Sequence, residues 1–301
     1  MSKKYFGGIE AGGTKFVCAV GNDEGQIFEQ VRIATETPDK TLGQVISFFK
    51  PFVLSKSLRT IGLGSFGPID LEMNSPTYGY ITSTPKPNWQ NTNIVGILES
   101  NLNADIVLDT DVNAAAFGES VWGASKNVDP SLYLTIGTGI GGGYIKDGKP
   151  LIGLVNPEMG HIRILHDLDN DPFPGLCSYH GDCFEGLASG PAINKRIGRP
   201  AETIDDNHQV WDLEANYIGQ AISNLILILS PKIIILGGGV MHRNFLFKRI
   251  RIQVQEILNR YVQHADILEN IDKYIVPPLL GNNAGVLGAI ALAMSRQYNT
   301  P

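Results

Sequence analysis

Apolar residues fall into short runs broken by glycine-rich turns in two regions, and into longer helical-period stretches elsewhere. From Tyr5 to Ala19 the order is an apolar run, a turn at Gly12 and Gly13, and a second apolar run. A further turn at Gly21–Gly25 leads into Gln26–Ile33, so three strands are predicted. Ser131 to Leu151 repeats the rhythm: strand, glycine-rich turn with Thr138, strand, tight turn at Asp147-Gly148, strand. Between the copies, Pro38–Phe49 and Ile94–Asn101 predict helices and Thr60–Gly64 a buried strand. Ile106–Leu108 predicts a short strand ending near Asp109, followed by a helix through Asn113–Gly118. Further on, Gly186–Ile197 reads as a loop into a helix with Pro191 near its start, and Val210–Leu229 as a long apolar helix. Pro231–Leu236 then predicts a buried parallel strand, Gly237-Gly238-Gly239 a tight turn, and Val240–Tyr261 a helix. Ile275–Pro278 is a last strand, Leu280–Asn283 a polar turn, and Ala284–Met294 a small-residue helix expected to pack on one of the sheets.

Two copies of one glycine-turn hairpin suggest two similar α/β halves facing each other, and 301 residues suffice for them. The division expected is 1–121, completed by a C-terminal helix over 284–301, and 122–283. A hydrophobic content of 43% with 18% charged residues is that of a soluble globular chain. The net charge of -6 argues against nucleic acid as a main partner. It admits an anionic small ligand only where backbone amides or a metal make a local positive site. Three cysteines do not make a disulfide framework, and no uncharged apolar run is long enough for a membrane span, so a cytoplasmic location is expected.

The glycine turns are the first candidate chemistry. Gly12 and Gly13 lack a Cβ, so backbone N–H groups can approach a ligand, with Thr14 and Lys15 adding a hydroxyl and a cation. Gly137, Gly139 and Gly142 match G-x-G-x-x-G literally, yet a strand follows where a dinucleotide fold needs a helix. Two such loops could instead clamp a polyphosphate through backbone N–H groups. Strand, triple glycine, helix at 231–261 is a further nucleotide signal. Asp111 falls at the carboxyl end of a strand just before a helix, where open α/β sheets place ligands. It reads either as a helix N-cap or as a general base toward a sugar hydroxyl. Ser65-Phe66-Gly67-Pro68 is a candidate substrate loop or an ordinary turn.

The second candidate lies in Asn156–Glu185, where Cys177, His180 and Cys183 read C-x2-H-x2-C and His161 stands upstream. Zinc prefers four N/S ligands, and four protein ligands close the site to water, which makes it structural and disfavours a zinc hydrolase. The plainer alternative is two buried thiols beside surface histidines. Glu158 and Glu185 bracket the segment and could accept hydrogen bonds from a polyol.

Taken in order, Glu10-Ala-Gly-Gly-Thr-Lys15, Thr110-Asp111-Val-Asn113, Gly137-Thr-Gly-Ile-Gly141, Glu158-x-x-His161 and the Cys-His-Cys loop resemble the ROK family of sugar kinases and repressors over essentially the whole chain. Within it, the C-x2-H-x2-C-F-E loop and Gly64–Pro68 look most like bacterial fructokinases. The resemblance implies an actin-like (RNase H-like) ATPase fold, two α/β domains with a cleft in which ATP phosphorylates a hexose and domain closure excludes water. It implies Asp111 as catalytic base and Glu158, His161, Glu185, Asn113, Gly67 and Pro68 around the sugar. Gly12, Gly13, Thr14, Lys15, Gly137, Thr138 and Gly139 match the phosphate loops; Pro191 and Gly237, Gly238, Gly239, Val240 and Met241 match the adenosine end. Zinc on His161, Cys177, His180 and Cys183 would leave the other ring nitrogen of His161 for the sugar. Glu10 stands where D-x-G-G-T is usual and would hold magnesium through water; Thr110 replaces an asparagine of glucokinase-like members. D-fructose is the expected substrate, with mannose, glucose or N-acetylmannosamine as alternatives, and a homodimer built around the metal-loop domain is expected. A non-catalytic sugar-responsive regulator is the other reading, although no DNA-binding module is expected ahead of Gly7.

Overall fold

A computed structural model describes residues 4–55, 58–84 and 86–298. It divides into two compact units, Met1–Lys126 with Asn282–Pro301, and Asn127–Gly281.

The first unit opens with β1 (Tyr5–Ala11), β2 (Lys15–Asn22) and β3 (Ile27–Ala34), an antiparallel meander. Helix α1 (Pro38–Leu54) crosses to β4 (Leu58–Ser65), which pairs parallel to β1. A two-stranded ribbon of β5 (Tyr80–Ile81) and β6 (Thr92–Asn93) precedes α2 (Ile94–Leu102). Strand β7 (Asp105–Thr110) then pairs parallel to β4 and runs directly into α3 (Asp111–Trp122). Helix α1 continues past Phe49, where the sequence pattern ends it, because Phe52 and Val53 still pack against the core and Phe52 meets Phe48 with ring centroids 5.7 Å apart.

The second unit repeats the plan. Strands β8 (Ser131–Ile136), β9 (Ile140–Lys146) and β10 (Lys149–Pro150) form the meander. After a long loop come α4 (Phe184–Ala188), α5 (Gly190–Ile197) and α6 (Val210–Leu229), the last with the bounds its apolar run predicts. Strand β11 (Ile233–Gly237) pairs parallel to β8, α7 (Phe245–Leu258) follows, and the short helices α8 (Ala265–Leu268) and α9 (Ile271–Tyr274) lead to β12 (Ile275–Val276), parallel to β11. The strand orders are β3-β2-β1-β4-β7 and β10-β9-β8-β11-β12, so the two five-stranded sheets share one topology. This bears out the two similar α/β halves expected from the repeated hairpin.

Two further elements differ from what the sequence pattern predicts. Val240–Tyr261 is not one helix: a 3-10 turn spans Val240–His242, and α7 starts only at Phe245. Arg243 is drawn out of the helical path by an ion pair to Asp206, a bond to the Ala201 carbonyl at 2.8 Å, and the Trp211 ring 4.5 Å from its guanidinium. Gly186 lies within helix α4 rather than in a loop. There it packs so closely on the carbonyl of Gly181 that a Cβ would collide.

The last helix, α10 (Ala284–Tyr298), returns to the first unit and packs on α3, β1 and β4. Its approach is closer than side chains normally allow. A Cβ on Gly62 would collide with the Ala289 carbonyl, and one on Gly288 with the Ala114 carbonyl, so only glycine fits at either position. Residues 299–301, counted into this helix from the sequence, lie outside the described residues. Among the described residues, no helix is long and apolar enough to cross a membrane.

Candidate active site and metal centre

The metal loop closes on itself. Cys177 N–H donates to the Gly181 carbonyl at 3.1 Å and Gly181 N–H to the Cys177 carbonyl at 2.9 Å, with Gly181 at φ 66 turning the chain between them. His161 comes in from the 3-10 turn Met159–His161. The ligand atoms of His161, Cys177, His180 and Cys183 all lie within 4.8 Å of one another. Cys177 Sγ is 3.8 Å from His161 Nδ1 and 3.6 Å from His180 Nδ1, and Cys183 Sγ is 3.5 Å from His161 Nδ1. Tetrahedral bond lengths of about 2.3 Å to sulfur and about 2.05 Å to nitrogen put neighbouring S and N ligands about 3.5 Å apart. The residues therefore fit zinc. Both histidines turn Nδ1 inward, so Nε2 of His161 is directed elsewhere. Burial first, and then the adjacent Cys177 sulfur, push the Cys183 thiol up to about 11; a cation that takes both sulfurs as thiolates removes that conflict.

Contacts far apart in the chain anchor this loop. Asp182, beside the last cysteine, accepts an ion pair from Arg163 and lies 3.4 Å from His166 Nδ1. His166 Nε2 faces the Asp171 carbonyl at 3.0 Å, and the buried Asp171 carboxylate takes Arg196 Nε at 3.0 Å and the Tyr217 hydroxyl at 2.7 Å. A polar chain thus ties the metal loop to α5 and α6.

The second glycine loop lies beside this centre. Gly137 N–H donates to the Gly139 carbonyl at 2.9 Å, and Gly190 N–H to the Gly137 carbonyl at 2.8 Å. Glu185, on the first turn of α4, accepts from Ile140 N–H through Oε2 at 2.8 Å. A cavity of about 530 Å³ opens next to the loop. Gly137, Thr138, Pro191, Gly239 and Val240 line it, together with Trp211 and Arg243, which the sequence reading did not single out. Gly237, Gly238 and Met241 stand behind that wall. Gly237 closes β11 against the Tyr133 ring, Gly238 at φ 90 packs on the Ile136 backbone, and Met241 is buried.

In the first unit, three groups leave the sheet at one edge, since Ala11, Ser65 and Thr110 are level in register. The Gly12–Lys15 turn is closed by Gly12 N–H to the Lys15 carbonyl at 3.0 Å and braced by Thr35 Oγ1 on the Gly12 carbonyl at 2.7 Å. The 65–68 loop is tied down by Phe66 N–H to the Ala11 carbonyl at 2.8 Å and by Thr82 N–H to the Pro68 carbonyl at 2.8 Å. Phe66 packs edge-on against the buried Trp89 at 5.6 Å, which holds Gly67 and Pro68 in place. The helix N-cap is Thr110, whose hydroxyl accepts from Asn113 N–H at 3.2 Å, so Asp111 is the first helical residue instead of the cap. Asn113 is buried, with Nδ2 on Asp109 Oδ1 at 2.7 Å. Glu10 lies along α10, and Gly285 leaves it room. Its Oε2 is buried without a hydrogen-bond partner, and burial raises its pKa against the opposing charges of Lys15 and Arg32.

Two sheets of one topology, each with a glycine turn at its first hairpin, and a closed His/Cys cluster are the architecture of a sugar kinase. The ROK family model matches residues 6–296, and the chain belongs to the ROK family. It is 50% identical over 287 residues to a putative fructokinase of Bacillus subtilis, covering 95% of this chain and 94% of that one. It is 44% identical over 300 residues to a fructokinase of Zymomonas mobilis, covering 98% of each. Among solved structures, a ROK hexokinase from Thermus thermophilus superposes with a TM-score of 0.76 at 26% identity, over 98% of this chain and 100% of that one.

Proposed function

We propose that this protein is an ATP-dependent fructokinase that converts D-fructose to fructose 6-phosphate. The observation that carries the reading is similarity at 43–50% identity, over nearly the full length, to proteins named as fructokinases. The residues at the site are those the chemistry needs.

Phosphoryl transfer proceeds through a loose transition state, so alignment and charge neutralisation supply most of the rate. Asp111 takes the proton of the attacking hydroxyl. The turns at Gly12–Lys15 and Gly137–Gly139 present backbone N–H groups to the phosphates, and the cavity lined by Thr138, Pro191, Gly239 and Val240 takes the adenosine end. Glu158, His161 Nε2 and Glu185 accept from or donate to sugar hydroxyls, with Gly67, Pro68 and Asn113 shaping the remainder. Magnesium, which neutralises developing charge when bound with ATP, would be held through water by Glu10, whose buried, partnerless Oε2 needs a donor. His161, Cys177, His180 and Cys183 would hold zinc, which would orient His161 toward the sugar and, with four protein ligands, leave no open position for chemistry.

A homodimer belongs to this reading. Leu154, Val155, Leu165, Leu168 and Tyr179 are all exposed on or near the metal loop, more apolar surface than one stretch normally leaves to water. A cytoplasmic location belongs to it too, since the two metal-loop thiols function reduced.

The test is ADP release coupled to a spectrophotometric readout, with magnesium and fructose, glucose, mannose, N-acetylmannosamine or no sugar, and zinc counted in the same sample. Fructose-dependent turnover with about one zinc per chain is expected. Turnover on a different hexose corrects the sugar, and silence on every sugar favours a sensor.

A further inference from the structure

Glu185, and the turn that carries Glu158 and His161, both sit against the residue that follows the phosphate loop. Ile140 begins β9 directly after Gly137–Gly139. Its N–H donates to Glu185 Oε2 at 2.8 Å. On its other side, its carbonyl lies against Gly160, so tightly that a Cβ there would collide. Gly160 is the residue before His161 and two after Glu158. The loop itself leaves the carboxylate little slack, because a Cβ on Gly139 would stand 2.8 Å from Glu185 Oε2. Helix α4, which carries Glu185, is held at both ends. Its N-cap is the metal ligand Cys183, and just beyond its C-cap, Gly190 N–H returns to the Gly137 carbonyl at 2.8 Å.

We infer that Glu185 is a positioning residue for the nucleotide as well as a sugar ligand: one carboxylate oxygen, Oε2, fixes the amide of Ile140 and hence the phosphate loop, while Oε1 takes a sugar hydroxyl. The inference rests on the hexokinase reading for the second half only. An oxygen acceptor at this position holds the Ile140 amide, and a side chain without one leaves that N–H unpaired. Loss of the acceptor releases the start of β9 and the Gly137–Gly139 turn together. Because both ligands act on one side chain, each changes the other's affinity by the same factor. Bound sugar restrains the Glu185 rotamer and so presets the loop for the phosphates. A bound nucleotide, by ordering the loop, presets Glu185 for the sugar.

The experiment measures binding by calorimetry with one ligand at a time. Magnesium with the non-hydrolysable ATP analogue AMP-PNP is titrated into wild type, Glu185→Ala and Glu185→Gln without sugar. Glu185→Ala is expected to weaken the analogue about tenfold or more, the usual effect of removing a hydrogen bond to a charged group. Glu185→Gln keeps an acceptor for Ile140 N–H and is expected to restore affinity to within about twofold. Fructose is then titrated, without nucleotide, into Gly139→Ala, whose added Cβ displaces the carboxylate. A several-fold loss of fructose affinity is expected. Wild-type analogue affinity in Glu185→Ala, or failure of Gln to restore it, overturns the inference. If Glu185→Ala does not fold, unchanged fructose affinity in Gly139→Ala overturns it instead. A wild type that binds the analogue but turns over no hexose would sink the kinase reading and leave the analogue titrations to decide the loop contact.

Discussion

Asn113 Nδ2 donates to Asp109 Oδ1 at 2.7 Å across the junction of β7 and α3, and both side chains are buried. The same oxygen accepts Thr110 N–H at 2.7 Å. With the Thr110 cap, these bonds fix the end of the strand to the first turn of the helix. Asp111 sits between them, its Oδ1 on Val112 N–H at 2.9 Å, at the partly exposed start of α3. The buried pair sets the geometry, and the residue between them is the proposed general base.

Asp111→Ala is therefore expected to fold as the wild type does and bind zinc, but to lose turnover by about 10²–10⁴-fold, the usual worth of general base assistance. Steady-state kinetics on zinc-replete protein, with the melting temperature recorded beside them, check this. Retained turnover would remove Asp111 from the mechanism.

Asn113→Ala is expected to act differently. It leaves Asp109 buried with a donor missing, which costs about 1–3 kcal/mol. Urea denaturation should register that loss, whereas a stability equal to wild type would mean that the junction is held elsewhere.

How much of this could be read beforehand depends on range. The hairpins, α6 and the metal ligands are local patterns: alternating or continuous apolar runs, and three ligands within seven residues. The hairpins and α6 appear in the structure as the sequence predicts, and the four His/Cys side chains come together. The break at Arg243 was not legible, because the residues after Gly239 keep a helical pattern and the groups that pull Arg243 away, Asp206, Ala201 and Trp211, are more than thirty residues distant. The cap at Thr110 was ambiguous for another reason. Thr and Asp are both good N-caps, and only the extended backbone of Thr110, φ -70 and ψ 157, decides between them. The bond from Ile140 to Glu185 spans 45 residues and leaves no trace in composition or spacing.

Loss of metal and loss of stability should coincide. Cys183 is buried under α4, and its replacement by alanine removes one of four ligands that the S–N distances fit to zinc. Cys183→Ala is expected to retain less than about a tenth of the zinc and to lose at least about 2 kcal/mol. Zinc analysis and thermal melting on the same preparation check both. An unchanged melting temperature would show that the metal does not hold the fold.

Gly62→Ala tests the packing of α10 on the first sheet. The added methyl meets the Ala289 carbonyl, which is backbone and cannot rotate away. The helix must shift, at a cost of about 3 kcal/mol or more. A variant as stable as wild type would mean that α10 can move off β4 freely.

Glu214 gives a prediction whose sign depends on pH. It lies fully buried on α6, and neither carboxylate oxygen has a hydrogen-bond partner. Burial raises its pKa well above 4.5, and the nearby Arg196 charge only partly opposes this. The folded protein therefore keeps Glu214 protonated at pH values where the unfolded chain has released the proton. A group whose folded pKa is raised contributes its full stability below the unfolded pKa, here near 4.5, and loses it as pH rises toward the folded value. Glutamine has the same shape and no proton to lose. Glu214→Gln should thus match wild type near pH 4 and exceed it at pH 8, the gap growing by about 1 kcal/mol per pH unit over the lower part of that range. Urea midpoints of the two proteins at pH 4, 6 and 8 measure it. A Gln variant less stable than wild type at pH 8 would mean that Glu214 is ionised inside the fold and that its charge is held by Arg196, whose Nη1 is likewise buried without a hydrogen-bond partner.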